Sequence, residues 1–161
     1  MATQQKITTF LWFDANAEEA VEHYTSIFPS SRVTRVSRYG KGGPGPEGAI
    51  MNLEFELAGQ TFLALNGGPQ YKFTPAISLF VSCGSQEEVD RYWDRFVEAG
   101  GKPTACGWLD DKFGLSWQII PTELPELLTD PDPKKAARAM QAMLGMQKID
   151  VAALRRAHAG T

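Results

Sequence analysis

The chain has 161 residues, of which 43% are apolar, and a formal charge of 16 − 19 = −3. That length supplies one domain or two small fused modules, with enough apolar side chain for a sizeable core. Charges of both signs are interspersed and no basic stripe exists, which argues against a nucleic-acid partner.

Met1 to Lys6 leads straight into a strand-like run and shows no signal-peptide core. No apolar stretch is long enough for a bilayer, so a cytoplasmic protein with no membrane partner is expected. Cys83 and Cys106 form no CxxC pair and read as free thiols in a reducing compartment.

Ile7 to Phe13 is rich in β-branched and aromatic residues and predicts a strand. Asn16 then reads as a helix N-cap, with Glu18 and Glu19 at the positive end of the dipole. Ala20, Tyr24, Ile27 and Phe28 recur at helical spacing, and Pro29-Ser30-Ser31 stops the helix. Arg32 to Tyr39 alternates charge with Val33 and Val36, as a half-exposed strand does.

Gly40 to Gly48 is glycine- and proline-rich. It lacks a Gly-Lys-Ser/Thr ending and no helix follows it, so it reads as a connecting loop that can cover a pocket rather than a phosphate cradle. Ala49 to Leu57 is a strand, Ala58-Gly59-Gln60 a hairpin turn, and Thr61 to Asn66 another strand, broken by Gly67-Gly68-Pro69.

After a linker from Gln70 to Pro75, Ala76 to Val81 predicts a strand. Ser85 caps a helix carrying Val89, Tyr92, Trp93 and Phe96, which ends at Gly100-Gly101. Lys102 to Cys106 is a short strand, and Cys106 to Pro121 a hairpin running into a buried strand. On that strand Ser116 and Gln118 share one face, and Leu115, Trp117 and Ile119 the other. Pro121 has no N–H to continue the ladder. Pro125 to Asp132 is a turn region with room for a short helix. Pro133 opens a helix with Ala136, Ala137, Met140, Met143 and Leu144 on its apolar face, and Ile149 to Ala157 forms a last helix.

The two strand–helix units match. Glu18 to Glu87 is 87 − 18 = 69 positions, and Tyr24 to Trp93 is 93 − 24 = 69. Three strands follow each helix. The duplication predicts an α+β fold of two βαβββ modules, at 6–68 and 75–121, each curled into half a barrel, with a helical tail over 122–161, all in one domain. A cleft between two half-barrels is a natural site for a small organic molecule.

This arrangement resembles the vicinal oxygen chelate superfamily (glyoxalase I, the bleomycin-resistance proteins, extradiol dioxygenases). It is most similar to the PhnB-like branch, also labelled a 3-demethylubiquinone-9 3-methyltransferase domain. The resemblance is carried by Phe10 to Asp14 with Glu18-Glu19-Ala20 and Tyr24, by Phe73 to Leu79, by Gln86 to Trp93, and by Cys106 to Leu109 with Asp111 to Ile119. The tail, through Met140 to Leu144 and Lys148-Ile149-Asp150, fits it too.

Superfamily enzymes hold a divalent metal with His and Glu, sometimes Gln, near the first strand of each module and on the last. The resemblance places those positions at Thr8 or Thr9, at Asn66, at Ala76 or Ser78, and at Gln118, and only Gln118 matches the pattern. Neutral hydroxyl and amide oxygens are weak ligands where a divalent ion wants imidazole, carboxylate or thiolate. His23 and His158 are the only histidines, on a helix and in the tail. No cofactor is therefore expected, with a divalent metal as the runner-up. The resemblance also implies a homodimer.

The candidate ligand-binding residues are Thr9, Trp12, Asn66, Ser78, Phe80, Cys106, Trp108 and Gln118. Cys106 as a nucleophile needs a lowered pKa, and no histidine is a visible partner, so a structural thiol is expected there and at Cys83. Asp110 and Asp111 form an acidic pair that reads as a solvated turn rather than an acid–base pair. Methyl transfer needs a donor site with a glycine-rich turn after a strand, and nothing here has that context. The leading expectation is a small-molecule-binding PhnB-like protein. A metal-dependent lyase, isomerase or dioxygenase, a non-catalytic resistance-type binder and a methyltransferase are the alternatives.

Overall fold

The computed structural model describes residues 5–161; the expectation for Met1 to Gln4 lies outside them. The chain divides into two compact units, with the division after Lys72. The first contains β1 (Thr9–Phe13), α1 (Ala17–Ile27), β2 (Arg32–Arg38), β3 (Ile50–Leu57) and β4 (Gln60–Asn66). The second contains β5 (Ser78–Cys83), α2 (Gln86–Glu98), β6 (Lys102–Pro103), β7 (Trp108–Asp110) and β8 (Ser116–Pro121), followed by α3 (Glu123–Leu128), α4 (Pro133–Leu144) and α5 (Val151–Ala159).

The duplication is real at the level of topology. The sheets run β1-β4-β3-β2 and β5-β8-β7-β6. In each, the first strand pairs parallel to the last and the remaining pairs are antiparallel. A parallel neighbour requires a crossover, and the helix supplies it in both units.

Each helix covers one face of its own sheet. In the first unit Leu11, Phe13, Leu53, Phe55, Phe62 and Ala64 are buried, together with Ala17, Ala20, Val21 and Tyr24 of α1. In the second unit Trp117 and Ile119 are buried with Val89, Tyr92, Trp93 and Phe96, and the Phe96 and Trp117 rings lie 4.8 Å apart. The other face of each sheet is open. It carries Phe10 in one unit and Phe80 in the other, each more than half exposed.

Several local expectations need correction. Asn16 stands at the N-cap of α1, but its side chain makes no capping bond. The cap comes from β4, where Asn66 Oδ1 accepts the Ala17 N–H at 2.9 Å. β5 begins at Ser78, because Ala76 and Ile77 sit in a turn closed by Ile77 N–H on Thr74 O. β6 ends at Pro103, so Cys106 lies in the β6–β7 turn, with φ of +56°. The inward face of α4 is set by buried Ala139, with Ala136 and Met143 half-buried, and leaves Ala137, Met140 and Leu144 exposed. Ser85 caps α2 as expected, accepting from Glu88 N–H, while Glu88 Oε2 accepts the Gly84 N–H at 2.7 Å.

The tail closes one end of the open face of the second sheet. Ile120, Leu124, Ile149 and Leu154 form a buried cluster, with Met143 and Met146 packed against it. Backbone bonds from Cys106 N–H to Met146 O and from Gly107 N–H to Gln147 O fix the segment before α5 to the β6–β7 turn. Among the described residues no helix is long and apolar enough to cross a membrane.

Candidate functional site

The expected site residues fall into two groups, one in each unit. In the first unit the alternation of β1 puts Phe10 and Trp12 on the open face, and Thr9, Leu11 and Phe13 on the side covered by α1. Thr9 and Trp12 therefore do not share a surface.

Trp12 and Asn66 both line a cavity of about 770 Å3 within this unit. Its walls include Leu65, Ile50 and Met51, the Tyr39 ring, and Pro44 to Pro46 of the β2–β3 loop. Asp14, Glu18 and Arg38 supply its charges. The glycine-rich loop thus becomes a cavity wall, held as a hairpin extension by Tyr39 N–H on Ala49 O and Gly48 N–H on Tyr39 O.

Two aromatic walls are fixed by the backbone around them. Trp12 Nε1 donates to Gly68 O at 2.9 Å, and the Tyr39 hydroxyl donates to Asn66 O. Trp12 also meets the Tyr71 ring edge-on at 5.0 Å. A Cβ at Gly67 would collide with the Trp12 ring, and one at Gly45 with the Tyr39 ring, so only glycine allows these close approaches. Both rings spend their polar ends on carbonyls and offer their apolar surface to the cavity.

Asn66 is committed to the fold as well. Besides capping α1, it donates from Nδ2 to Ile50 O at 3.2 Å. Its amide ties three segments together and leaves little capacity for a ligand.

In the second unit the open face brings together Ser78, Phe80, Trp108 and Gln118. Gln118 stands between Phe80 and Trp108 in the strand register. Its Nε2 donates to Ser78 Oγ at 2.9 Å. Ser116, fully buried, donates to Asp110 Oδ1 at 2.6 Å. The result is two hydrogen-bonded polar pairs in adjacent rows, with Gln118 alone between the two aromatic side chains. Cys106 belongs to the turn beyond them.

Asp111 departs from the solvated turn that was expected. It is 4% exposed and accepts from Phe113 N–H, Leu115 N–H and Trp117 Nε1 at 2.8, 3.0 and 2.9 Å. This carboxylate is the internal frame of the β7–β8 hairpin. Sequence reasoning missed it, although an Asp three residues before the turn glycine, Gly114, is a known way to tie a turn backbone.

Both cysteines are free. Burial, and then the nearby Glu88 charge, pushes the Cys83 thiol up to about 12, so it is an inert core group. His23 is half-buried beside Tyr24, and His158 Nε2 lies 2.8 Å from Asp130 Oδ2 in the tail.

The positions that the resemblance assigns to metal ligands do not fit a metal. Ser78 and Gln118 bond to each other, the Asn66 amide is used by Ala17 and Ile50, and Thr9 faces the α1 side. Among the described residues no three His, Cys, Asp or Glu side chains gather as a ligand set. The donors present are neutral oxygens already hydrogen-bonded within the protein.

The sequence model of the 3-demethylubiquinone-9 3-methyltransferase family matches residues 5–120. The chain belongs to this PhnB-like family. The matched stretch takes in both sheets and both covering helices, and stops before α3 to α5. The expectation that the resemblance extends through the tail is therefore narrowed to the two modules.

Among solved structures, the PhnB protein from Bacillus cereus is 39% identical over 73% of this chain and 100% of its own, with a TM-score of 0.67. Protein PA1353 from Pseudomonas aeruginosa is 20% identical over 71% of this chain and 95% of its own, with a TM-score of 0.58. A glyoxylase/bleomycin resistance protein/dioxygenase domain from Frankia sp. EAN1pec is 15% identical over 71% of this chain and 90% of its own, with a TM-score of 0.46. No curated protein matches the chain. The paired βαβββ sheets and the PhnB kinship give this PhnB-like chain the vicinal oxygen chelate fold.

Proposed function

We propose that this PhnB-like protein binds a small organic molecule, and that the cavity of the first unit is where the molecule sits. The observation that carries this reading is the cavity itself. Its volume of about 770 Å3 is in the range of ligand sites, and its aromatic walls are fixed before any ligand arrives. Rigid walls lower the ordering cost of binding. The half-buried Gln118 and Ser78 on the second sheet, with Phe80 and Trp108 beside Gln118, form a second surface able to pair with a carbonyl or hydroxyl.

A nucleotide-type methyl donor finds no support in the local geometry. The β1–α1 connection is Asp14-Ala15-Asn16 and the β5–α2 connection is Gly84-Ser85, and neither is a glycine-rich phosphate turn. The test is a thermal-shift and calorimetric screen of small aromatic and aliphatic compounds, with S-adenosylmethionine included. Stoichiometric binding that Trp12→Leu abolishes supports the reading. Binding untouched by Trp12→Leu moves the site elsewhere, and stabilisation by S-adenosylmethionine restores methyl transfer. A homodimer belongs to the same reading, supported by uncovered apolar side chains at Phe10, Phe80, Met140 and Leu144. A monomer in sedimentation overturns it.

A further inference from the structure

From the geometry of the two duplicated sheets we infer that the molecule taken up in the first unit's cavity is an organic cation: an amine or quaternary ammonium carried on an apolar or aromatic body. This rests on the cavity being the binding site.

The first argument comes from register. Trp12 pairs with Leu65 in the first unit, and Ser82 pairs with Ile120 at the same place in the second. Leu65 lines the cavity. Ile120 is 4% exposed, because Leu124, Ile149 and Leu154 of the tail pack onto it. The same end of the same fold is thus plugged by apolar side chains in one unit and left as a cavity in the other. A ligand that restores the missing burial in the first unit has an apolar body of similar character.

The second argument is what the cavity offers such a body. The Trp12 indole N–H and the Tyr39 hydroxyl are already bonded to Gly68 O and Asn66 O. What the two rings still present to the cavity is the π surface that Gly67, Gly45 and the Tyr71 ring leave uncovered, and such surface favours positive charge.

The third argument is charge. Asp14 and Glu18 are exposed carboxylates on the lining, against the single cation Arg38, whose Nη1 already donates to Gly48 O at 2.9 Å. Two carboxylates against one guanidinium leave one net negative charge on the lining, which exceeds the roughly half positive charge at the N-terminal end of the α1 dipole, so the balance favours a cation.

Three probes of similar size separate the possibilities: benzylammonium, benzyl alcohol and benzoate. Calorimetry reads affinity, and the NMR shift of the Trp12 indole N–H, assigned with Trp12→Phe, reads location. Benzylammonium is expected to bind about tenfold more tightly than benzyl alcohol, the size of one good cation–π and charge contribution. Benzoate is expected to bind weakest. The double variant Asp14→Asn with Glu18→Gln, both at exposed positions, is expected to fold normally and to lose most of that preference.

Equal affinity for all three probes, with the Trp12 signal shifting, overturns the cation inference and leaves the cavity as the site. Preference for benzoate overturns it in favour of an anion held by Arg38. No binding of any probe overturns this inference and the cavity reading together. An unchanged preference in the double variant overturns the role given to the carboxylates.

Discussion

The two units share strand order, helix placement and pairing pattern, yet their open faces differ in chemistry. Across one row the first unit reads Phe10, Leu63, Glu54, and the second reads Phe80, Gln118, Trp108. One row further, Trp12 and Leu65 border a cavity, while Ile120 lies under the tail. The loops diverge too. The long glycine-rich β2–β3 connection walls the cavity, whereas the β6–β7 turn is short and is tied down by Met146 and Gln147. A duplicated fold has kept its helix-covered cores, where packing constrains every side chain, and has changed its open faces, where little does. The comparison also shows that Asn66 and Gln118 are not equivalent. Register makes Leu63 the counterpart of Gln118, and Pro121 that of Asn66.

The sharpest way to break the comparison is Asp111→Ala. It strips partners from two backbone N–H groups and from the buried Trp117 indole, at a cost on the order of 3 kcal/mol. Urea unfolding is expected to show this loss, and hydrogen exchange to localise it to the second unit. A loss below about 1 kcal/mol, the worth of one ordinary hydrogen bond, would mean that the hairpin has no such frame.

Asn66→Ala addresses the first unit. It removes a helix cap supplied from a distant strand and the bond to Ile50 O, so a loss of about 1–2 kcal/mol is expected. Faster exchange in the first turn of α1 would accompany it. Gln118→Ala removes only the bond to Ser78 at a half-buried position, and about 0.5–1 kcal/mol is expected. The ordering of Asn66→Ala above Gln118→Ala separates a structural amide from one free to change. The reverse ordering would assign them opposite roles.

The smallest effect is expected in the tail, on acidification. The Asp132 backbone N–H and then His158 hold the Asp130 carboxyl below its ordinary value, and Arg155 holds Glu123 below its own. A depressed carboxyl stabilises the folded state above its unfolded pKa and loses that contribution as pH falls through the acidic range. Protection of α4 and α5 is therefore expected to fall below the ordinary carboxylate range and to stay flat on the alkaline side of neutrality. Asp130→Asn is expected to blunt the acid response. Loosening on alkalinisation instead would point away from these carboxyls.

The two helix caps show how far the sequence could be read. Ser85 caps α2 through Glu88, three residues on, and that spacing is visible in the chain. Asn16 sat in the same pattern before α1, yet its side chain makes no cap, because Asn66 reaches the Ala17 N–H from the end of β4. The helix was legible and the residue that secures it was not. On α4 the helical spacing was right and the face right in part, since Ala136 and Met143 turn inward beside buried Ala139 while Ala137, Met140 and Leu144 are exposed. Of the expected site residues, Trp12 and Asn66 reach the cavity, Ser78, Phe80, Trp108 and Gln118 assemble on the second sheet, and Thr9 and Cys106 fall outside both.

By itself the sequence determined the duplication, the two covering helices, the alternating strands and the kinship these imply. Each of these is written in local spacing, 3.6 residues per helical turn or two per strand repeat. The tertiary structure alone decided that Asn66 is a cap, that Asp111 is a buried frame, and that the β2–β3 loop walls a cavity whose counterpart the tail fills. Those assignments join segments far apart in the chain, through pairing register and side-chain reach, and no short window of sequence carries that information.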